Sequence, residues 1–183
     1  VSVSNRLPAD YDTMIDALGD AALSVLLEFG LPALFVVFVL KGALVGKPLP
    51  TSVLLPGYLL AVSASDLLVA AAIGVASAGY VTGQVMLFLS ARRYGPGFTD
   101  ATGWIRVSEV RLERANRWFR RYGGASVFVT NLVPYVGSFV LIPAGIARYP
   151  FGRVVVHATV STVLNYVLIV WLVLGSLELV TGI

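Results

Sequence analysis

The chain has 183 residues, 57% of them hydrophobic and 13% charged, with a net charge of +3, a pI near 9.4 and a mean hydropathy of +0.86. A water-soluble domain would carry about 25% charged residues, so composition excludes one, and the lack of cysteine excludes disulfides, thiol catalysis and thiolate metal sites. Nothing resembles the alternating ten-residue segments of a β-barrel, and an all-α integral membrane protein is expected.

The first residues, VSVSNRLPADYD, lack the basic start and adjoining apolar run of a signal peptide. Residues 1–20 read as an N-terminal surface segment, with a short acidic helix over 10–20 leading into a single membrane domain over 21–183. Residues 21–46 are long enough to span but include Glu28, Pro32 and Lys41. Glu28, the one acid within a hydrophobic run, is expected at the membrane surface. The next stretch, KPLPTSVLLPGYLLAVSAS at 47–65, carries prolines at 48, 50 and 56 together with Gly57. Its apolar part is too short to span, which predicts a re-entrant hairpin.

Residues 67–90 form a span without Lys, Arg, Asp or Glu. Gly74, Ala78, Gly79 and Gly83 make two small-xxx-small pairs, which let a neighbouring helix approach and would permit a homodimer. Thr82 and Gln84 are polar at membrane depth, and either faces a cavity or bonds across helices. Beyond the span, Arg92, Arg93, Arg106, Arg111, Arg114, Arg117, Arg120 and Arg121 supply eight of the thirteen Lys and Arg residues. The positive-inside tendency puts this connection in the cytoplasm, facing lipid headgroups rather than nucleic acid. Within it, residues 106–122 are amphipathic, with Val107, Val110, Ala115, Trp118, Phe119 and Tyr122 gathered towards one side. Such a helix lies in the headgroup plane, anchored by Trp118 and Tyr122, or packs on the protein's cytoplasmic side. Glu113 and Arg117 are spaced for an i,i+4 pair.

The segment NLVPYVGSFVLIPAGIARY, residues 131–149, is apolar but broken by Pro134, Gly137, Pro143 and Gly145. Proline removes a backbone donor and clashes with the preceding turn, so one straight helix is impossible here. Unwound backbone at membrane depth survives only where protein buries it or it lines a wet cavity. The segment therefore marks a transport or binding site within a second re-entrant hairpin over about 124–149. Residues 154–177 form the last of about three spans, again without Lys, Arg, Asp or Glu. Its His157 has no carboxylate or second histidine nearby in sequence and reads as a packed or cavity-facing polar residue. No phosphate-binding glycine loop, zinc spacing or Ser-His-Asp arrangement is present, and no enzyme, metal or cofactor is expected.

Pro56 lies eleven residues before the span starting at 67, and Pro143 eleven before the span starting at 154. Two units of broken hairpin and long helix suggest an inverted repeat whose tips face each other near the midplane.

Four stretches carry a family resemblance. KPLPTSVLLPGYLLA is similar to the first proline-rich hairpin of the DedA proteins, whose membrane domain is called VTT or SNARE-associated Golgi domain. GQVMLFLSARRYG resembles their Gly-Asp-x-x-x-Tyr-x-x-Gly-Arg-x-x-Gly segment. RVSEVRLERANRWFRRYGG resembles the basic amphipathic helix, and NLVPYVGSFVLIPAGIARYPFGR the hairpin signature Arg-x-x-Pro-x-x-Arg followed by Pro-Ala-Gly and Arg. The resemblance covers about 27–177 and implies a DedA-like fold that moves phospholipids or polyprenyl phosphate carriers across a prokaryotic cytoplasmic membrane.

The chain departs from that pattern at its charges. Asn131 and Gly137 stand where the family carries arginines, Gln84 where it carries Asp, and Ser52 and Tyr58 near its acidic positions, with Lys41 upstream. Asn, Gln, Ser and Tyr hydrogen-bond but do not titrate near neutral pH, which weakens proton coupling and favours passive passage. The resemblance implies a lipid path along Ser52, Pro56, Gly57, Tyr58, Gln84, Asn131, Pro134, Gly137, Ser138, Pro143, Gly145 and Arg148. Arg92, Arg93, Arg114, Arg117, Arg121 and Trp118 would face the headgroups of anionic phospholipid or polyprenyl phosphate. The alternatives are a proton- or ion-coupled transporter of a small solute and a membrane assembly protein that docks through the basic helix.

Overall fold

The computed structural model describes residues 9–44, 51–95, 98, 113, 117, 121–132 and 137–181. Every regular element among them is helical.

Helix α1, Ala9–Phe29, runs past the acidic start and well into the apolar stretch. It stops at Gly30, whose φ of 61° and ψ of −137° suit only glycine. Helix α2, Leu31–Gly42, begins at once, with Pro32 in its first turn, where a missing N–H costs nothing. The single span expected over 21–46 is therefore two helices, and the acidic helix expected over 10–20 is the first half of a longer one. Glu28 is exposed near the end of α1.

Helix α3, Thr51–Ala61, contains Pro56. Helix α4, Asp66–Tyr94, is capped by Ser65, whose hydroxyl accepts from the Leu68 N–H at 3.4 Å. Asp66 in the first turn and Arg92 and Arg93 in the last complement the helix dipole, and Gly95 closes the helix at φ 60°. Helix α5 is Gly124–Leu132, followed by a 3-10 turn at Gly137–Val140, helix α6 at Leu141–Ile146 and helix α7 at Phe151–Thr181. At 29 and 31 residues, α4 and α7 reach about 43 and 46 Å at 1.5 Å per residue. Both exceed the ~30 Å hydrocarbon layer and are the two helices, among the described residues, long and apolar enough to cross it.

The two long helices run antiparallel, and apolar clusters at either end show it. One unites Ala72 and Ala76 of α4 with Tyr166 and Val170 of α7, together with Leu26, Leu34, Phe38, Leu55 and Leu59. The other unites Val81 and Phe88 of α4 with Val154 and Ala158 of α7, Val127 of α5 and Ala144 of α6.

Helix α2 lies directly on α4, backbone to backbone. A Cβ on Gly79 would overlap the Phe35 carbonyl, one on Gly83 the Val39 carbonyl, and one on Gly42 the Tyr80 carbonyl. Helix α6 reaches α4 in the same manner, with Gly145 against the Phe88 carbonyl. The small-residue faces are thus used unequally: Gly79 and Gly83 seat α2, while Gly74 meets nothing within 4 Å and Ala78 is exposed.

The start of α5 lies against the chain that follows α6. The Gly124 N–H donates to the Tyr149 hydroxyl at 3.1 Å, joining the start of α5 to a residue just past α6. The chain leaves α6 through Arg148 at φ 52°, with the Tyr149 N–H bonding back to the Ala144 carbonyl at 3.0 Å.

The outer surface is greasy. Leu67, Val156, Val160, Trp171 and Leu172 are all more than half exposed, whereas Ser77, Gln84, Asn131, Ser138, Ser161 and Thr162 are buried. Apolar outside and polar inside is the reverse of a water-soluble domain, and it fits a bundle whose solvent is lipid.

Candidate functional site

The buried polar groups are not scattered. Tyr80 is the middle residue of α4 and Tyr166 the middle residue of α7, and the polar side chains gather beside them. Gln84 lies about 6 Å along the axis from Tyr80 at 1.5 Å per residue. The result is a polar layer at mid-height, sealed by an apolar cluster above and another below.

Asn131, in the last turn of α5, is its hub. The Gln84 side-chain N–H donates to Asn131 Oδ1 at 2.7 Å, and Asn131 Nδ2 returns a longer bond to Gln84 Oε1 at 3.4 Å. Asn131 Nδ2 also donates to Ser161 Oγ at 3.0 Å and to Thr162 Oγ1 at 3.5 Å. From α7, Asn165 Nδ2 donates to the Asn131 carbonyl at 2.8 Å. That carbonyl lies at the C-terminal end of α5, where the helix supplies no partner of its own. Five residues from three helices thus tie α4, α5 and α7 together through neutral groups. A hydroxyl pair adjoins them: Ser138 Oγ donates to Tyr80 Oη at 3.2 Å.

Gly137 shapes this layer through what it lacks. A Cβ there would collide with Asn131 Oδ1 and lie 3.0 Å from its Cα. With glycine, the turn at 137–140 closes over the amide without displacing it.

Gln84, Asn131, Gly137 and Ser138 of the expected path therefore come together in one layer. Gln84 resolves in favour of bonding across helices, while Thr82 is exposed and donates back to the Ala78 carbonyl at 2.7 Å. The other expected residues lie elsewhere. Pro56 and Tyr58 are buried in α3, Tyr58 within the first apolar cluster. Gly57 is half-buried beside open space, and Ser52 is placed as the second residue of α3. Pro143 and Gly145 are buried in α6, where Gly145 serves packing against α4. Arg148, Arg92 and Arg93 are exposed at helix ends. Arg117 is also exposed and pairs with Glu113 at 4.0 Å, while the Arg121 guanidinium sits 5.5 Å from the centre of the Tyr122 ring. Pro134, Arg114, Trp118 and most of the amphipathic helix expected over 106–122 lie outside the described residues. His157 packs its ring against Gly124 and donates from Nδ1 to the Arg153 carbonyl at 2.6 Å.

The sequence reading passed over Ser161, Thr162 and Asn165. Their signal was available: with His157 they occupy i, i+4, i+5 and i+8, one stripe on an otherwise apolar helix. It also passed over Tyr80, Tyr166 and the seat of Lys41. The Lys41 ammonium lies 5.5 Å from the ring centre of Phe38, 5.3 Å from that of Tyr80 and 5.5 Å from that of Tyr166. The rings brace one another edge-on, Phe38 against Tyr166 at 5.2 Å and Tyr80 against Tyr166 at 6.0 Å.

The VTT domain matches residues 49–177 of the chain. Undecaprenyl phosphate transporter A of Bacillus subtilis (strain 168) is 32% identical over 104 residues, covering 55% of this chain and 52% of that protein. Undecaprenyl phosphate transporter A of Staphylococcus aureus (strain NCTC 8325 / PS 47) is 29% identical over 126 residues, covering 66% and 61%. The uncharacterized membrane protein YbfM of Bacillus subtilis is 26% identical over 141 residues, covering 75% and 84%. The chain thus spans about half to three fifths of the length of the two named transporters. No solved structure matches it.

Proposed function

The chain belongs to the VTT domain family and is an integral protein of a prokaryotic cytoplasmic membrane, and we propose on that basis that it moves a phosphate-bearing lipid across the bilayer. The headgroup passes between two re-entrant hairpins while the acyl or prenyl tails stay in the membrane. Polyprenyl phosphate is the substrate suggested by the names of the two transporters, with anionic phospholipid as the other member of the class. The reading is of a transporter and not an enzyme.

The observation that carries this reading is the network of hydrogen-bonded amides and hydroxyls at mid-height. A headgroup crossing the hydrocarbon loses its water, and each unsatisfied polar group then costs several kcal/mol. Amides and hydroxyls of Gln84, Asn131, Ser138, Ser161, Thr162 and Asn165 can trade bonds with one another for bonds with a headgroup. The same layer supports passive movement. No Asp or Glu lies between Asp66 and Asp100 or between Glu113 and Glu178, so the two long helices bring no carboxylate to the layer. The second hairpin enters and returns on one side in this reading, consistent with the bond from Gly124 to Tyr149. The basic connection faces the cytoplasm, and a homodimer would form through the open face at Gly74 and Ala78.

The test is reconstitution into liposomes that contain a fluorescent anionic phospholipid or a labelled polyprenyl phosphate. The reading expects transfer between leaflets well above that of protein-free vesicles. Transfer no faster than in empty vesicles contradicts it. Solute uptake that requires a proton or ion gradient would establish the coupled-transporter reading instead.

A further inference from the structure

Lys41 belongs to no part of the hydrogen-bonded layer, yet its position is unusual. Its ammonium rests among the rings of Phe38, Tyr80 and Tyr166 at 5.3 to 5.5 Å from their centres. Two of these rings belong to the middle residues of α4 and α7, so the charge is held at the depth where the bilayer is most hostile to it. Three ring faces offset part of that cost through cation–π attraction. They cannot supply a counter-charge, and among the described residues the one ion pair is Glu113–Arg117. A second, independent observation points the same way. Among the described residues, the buried Tyr166 hydroxyl has no hydrogen-bond partner, and neither has that of Ser77, three residues before Tyr80 on α4. A cation with no anion among the described residues and a buried hydroxyl with no acceptor among them share one cure, an anionic ligand rich in oxygen.

We infer that the cage formed by Lys41, Phe38, Tyr80 and Tyr166 is a binding site for a phosphate oxyanion at the centre of the bundle. Lys41 supplies a charge-assisted hydrogen bond and the Tyr166 hydroxyl a second donor. The rings hold the lysine stem in place and keep water from competing. This inference rests on the lipid-transport reading for its ligand, and it gives that reading a selectivity: a headgroup with net negative charge is favoured over a zwitterionic one, whose own cation opposes Lys41.

The experiment measures binding apart from transport, using native mass spectrometry of the full chain in a nonionic detergent. The probes are dodecyl phosphate, inorganic phosphate and dodecylphosphocholine. Wild type is expected to bind dodecyl phosphate at least about tenfold more tightly than dodecylphosphocholine, the equivalent of one charge-assisted contact. Lys41→Met is expected to lose about tenfold or more, Lys41→Arg to stay within about threefold, and Tyr166→Phe to fall between. The conservative Lys41→Arg and Tyr166→Phe variants keep the test decisive should Lys41→Met fail to fold. Competition by inorganic phosphate at equal concentration would support the oxyanion site with the free ion as its ligand, whereas failure to compete assigns it to the lipid headgroup. Equal binding by Lys41→Met and wild type, or no preference for dodecyl phosphate, overturns the inference. Lipid transfer that persists without Lys41-dependent binding overturns the site and leaves the transport reading standing. Lys41-dependent binding without transfer supports the site and overturns the transport reading.

Discussion

The contact between Gln84 and Asn131 is the most demanding test of the polar layer, because one amide pair joins two helices across a gap of 47 residues in sequence. Asn131→Ala removes the 2.7 Å bond from Gln84 and the 3.0 Å bond to Ser161. Side-chain hydrogen bonds within membranes average about 0.6 kcal/mol and reach about 1.7, so the two account for roughly 1–2 kcal/mol. Gln84 is 1% exposed, and its amide is then left without its main acceptor, which adds roughly 1 kcal/mol or more. The expected loss is about 2–3 kcal/mol. Gln84→Ala breaks the same pair from the other side, and in the double variant the shared bond is counted once. The coupling energy should therefore be about 1 kcal/mol. It can be measured by reversible unfolding of the four proteins in mixed micelles titrated with SDS. A coupling below about 0.3 kcal/mol, the range of independent sites, would show that the two amides do not act as a pair.

Two further substitutions follow from close approaches. Gly83→Ala drives a methyl into the Val39 carbonyl and the Ala43 N–H, while Gly74→Ala meets open space. Overpacking of this kind costs about 1–3 kcal/mol, so the melting temperature in detergent should fall by several degrees for Gly83→Ala and hold or rise for Gly74→Ala. Gly137→Ala presses on Asn131 Oδ1. It should lower both the melting temperature and the rate of lipid transfer, measured in micelles and liposomes, whereas Gly152→Ala, with nothing within 4 Å, should change neither.

Some of this architecture was legible in the sequence because it depends on local chemistry. Gly79 and Gly83 announced a close helix contact through their spacing alone, and they make it with α2. Pro143 and Gly145 announced a broken segment, and α6 is six residues long. The break at Gly30 was also written locally, in a glycine two residues before Pro32, but the hydrophobic run on both sides masked it. The rest could not be read locally. Asn131 finds Gln84, Ser161, Thr162 and Asn165 because α4 and α7 pack antiparallel and α5 lies along α7, and sequence spacing carries no record of that arrangement. Lys41 is the sharpest case. A lysine near the end of an apolar helix reads as a charge reaching for the surface, and only the meeting of α2, α4 and α7 shows its ammonium enclosed by three rings.

A headgroup in the proposed transport crosses the layer without a titrating acid to drive it. The initial rate of labelled anionic lipid transfer in reconstituted vesicles, measured with no gradient and again with an imposed pH gradient of either sign, tests it most directly. Transfer above that of empty vesicles is expected in all three conditions, at the same rate within about twofold when the surface pH of the reporter leaflet is held constant. Transfer that appears only when a gradient is imposed would contradict passive crossing.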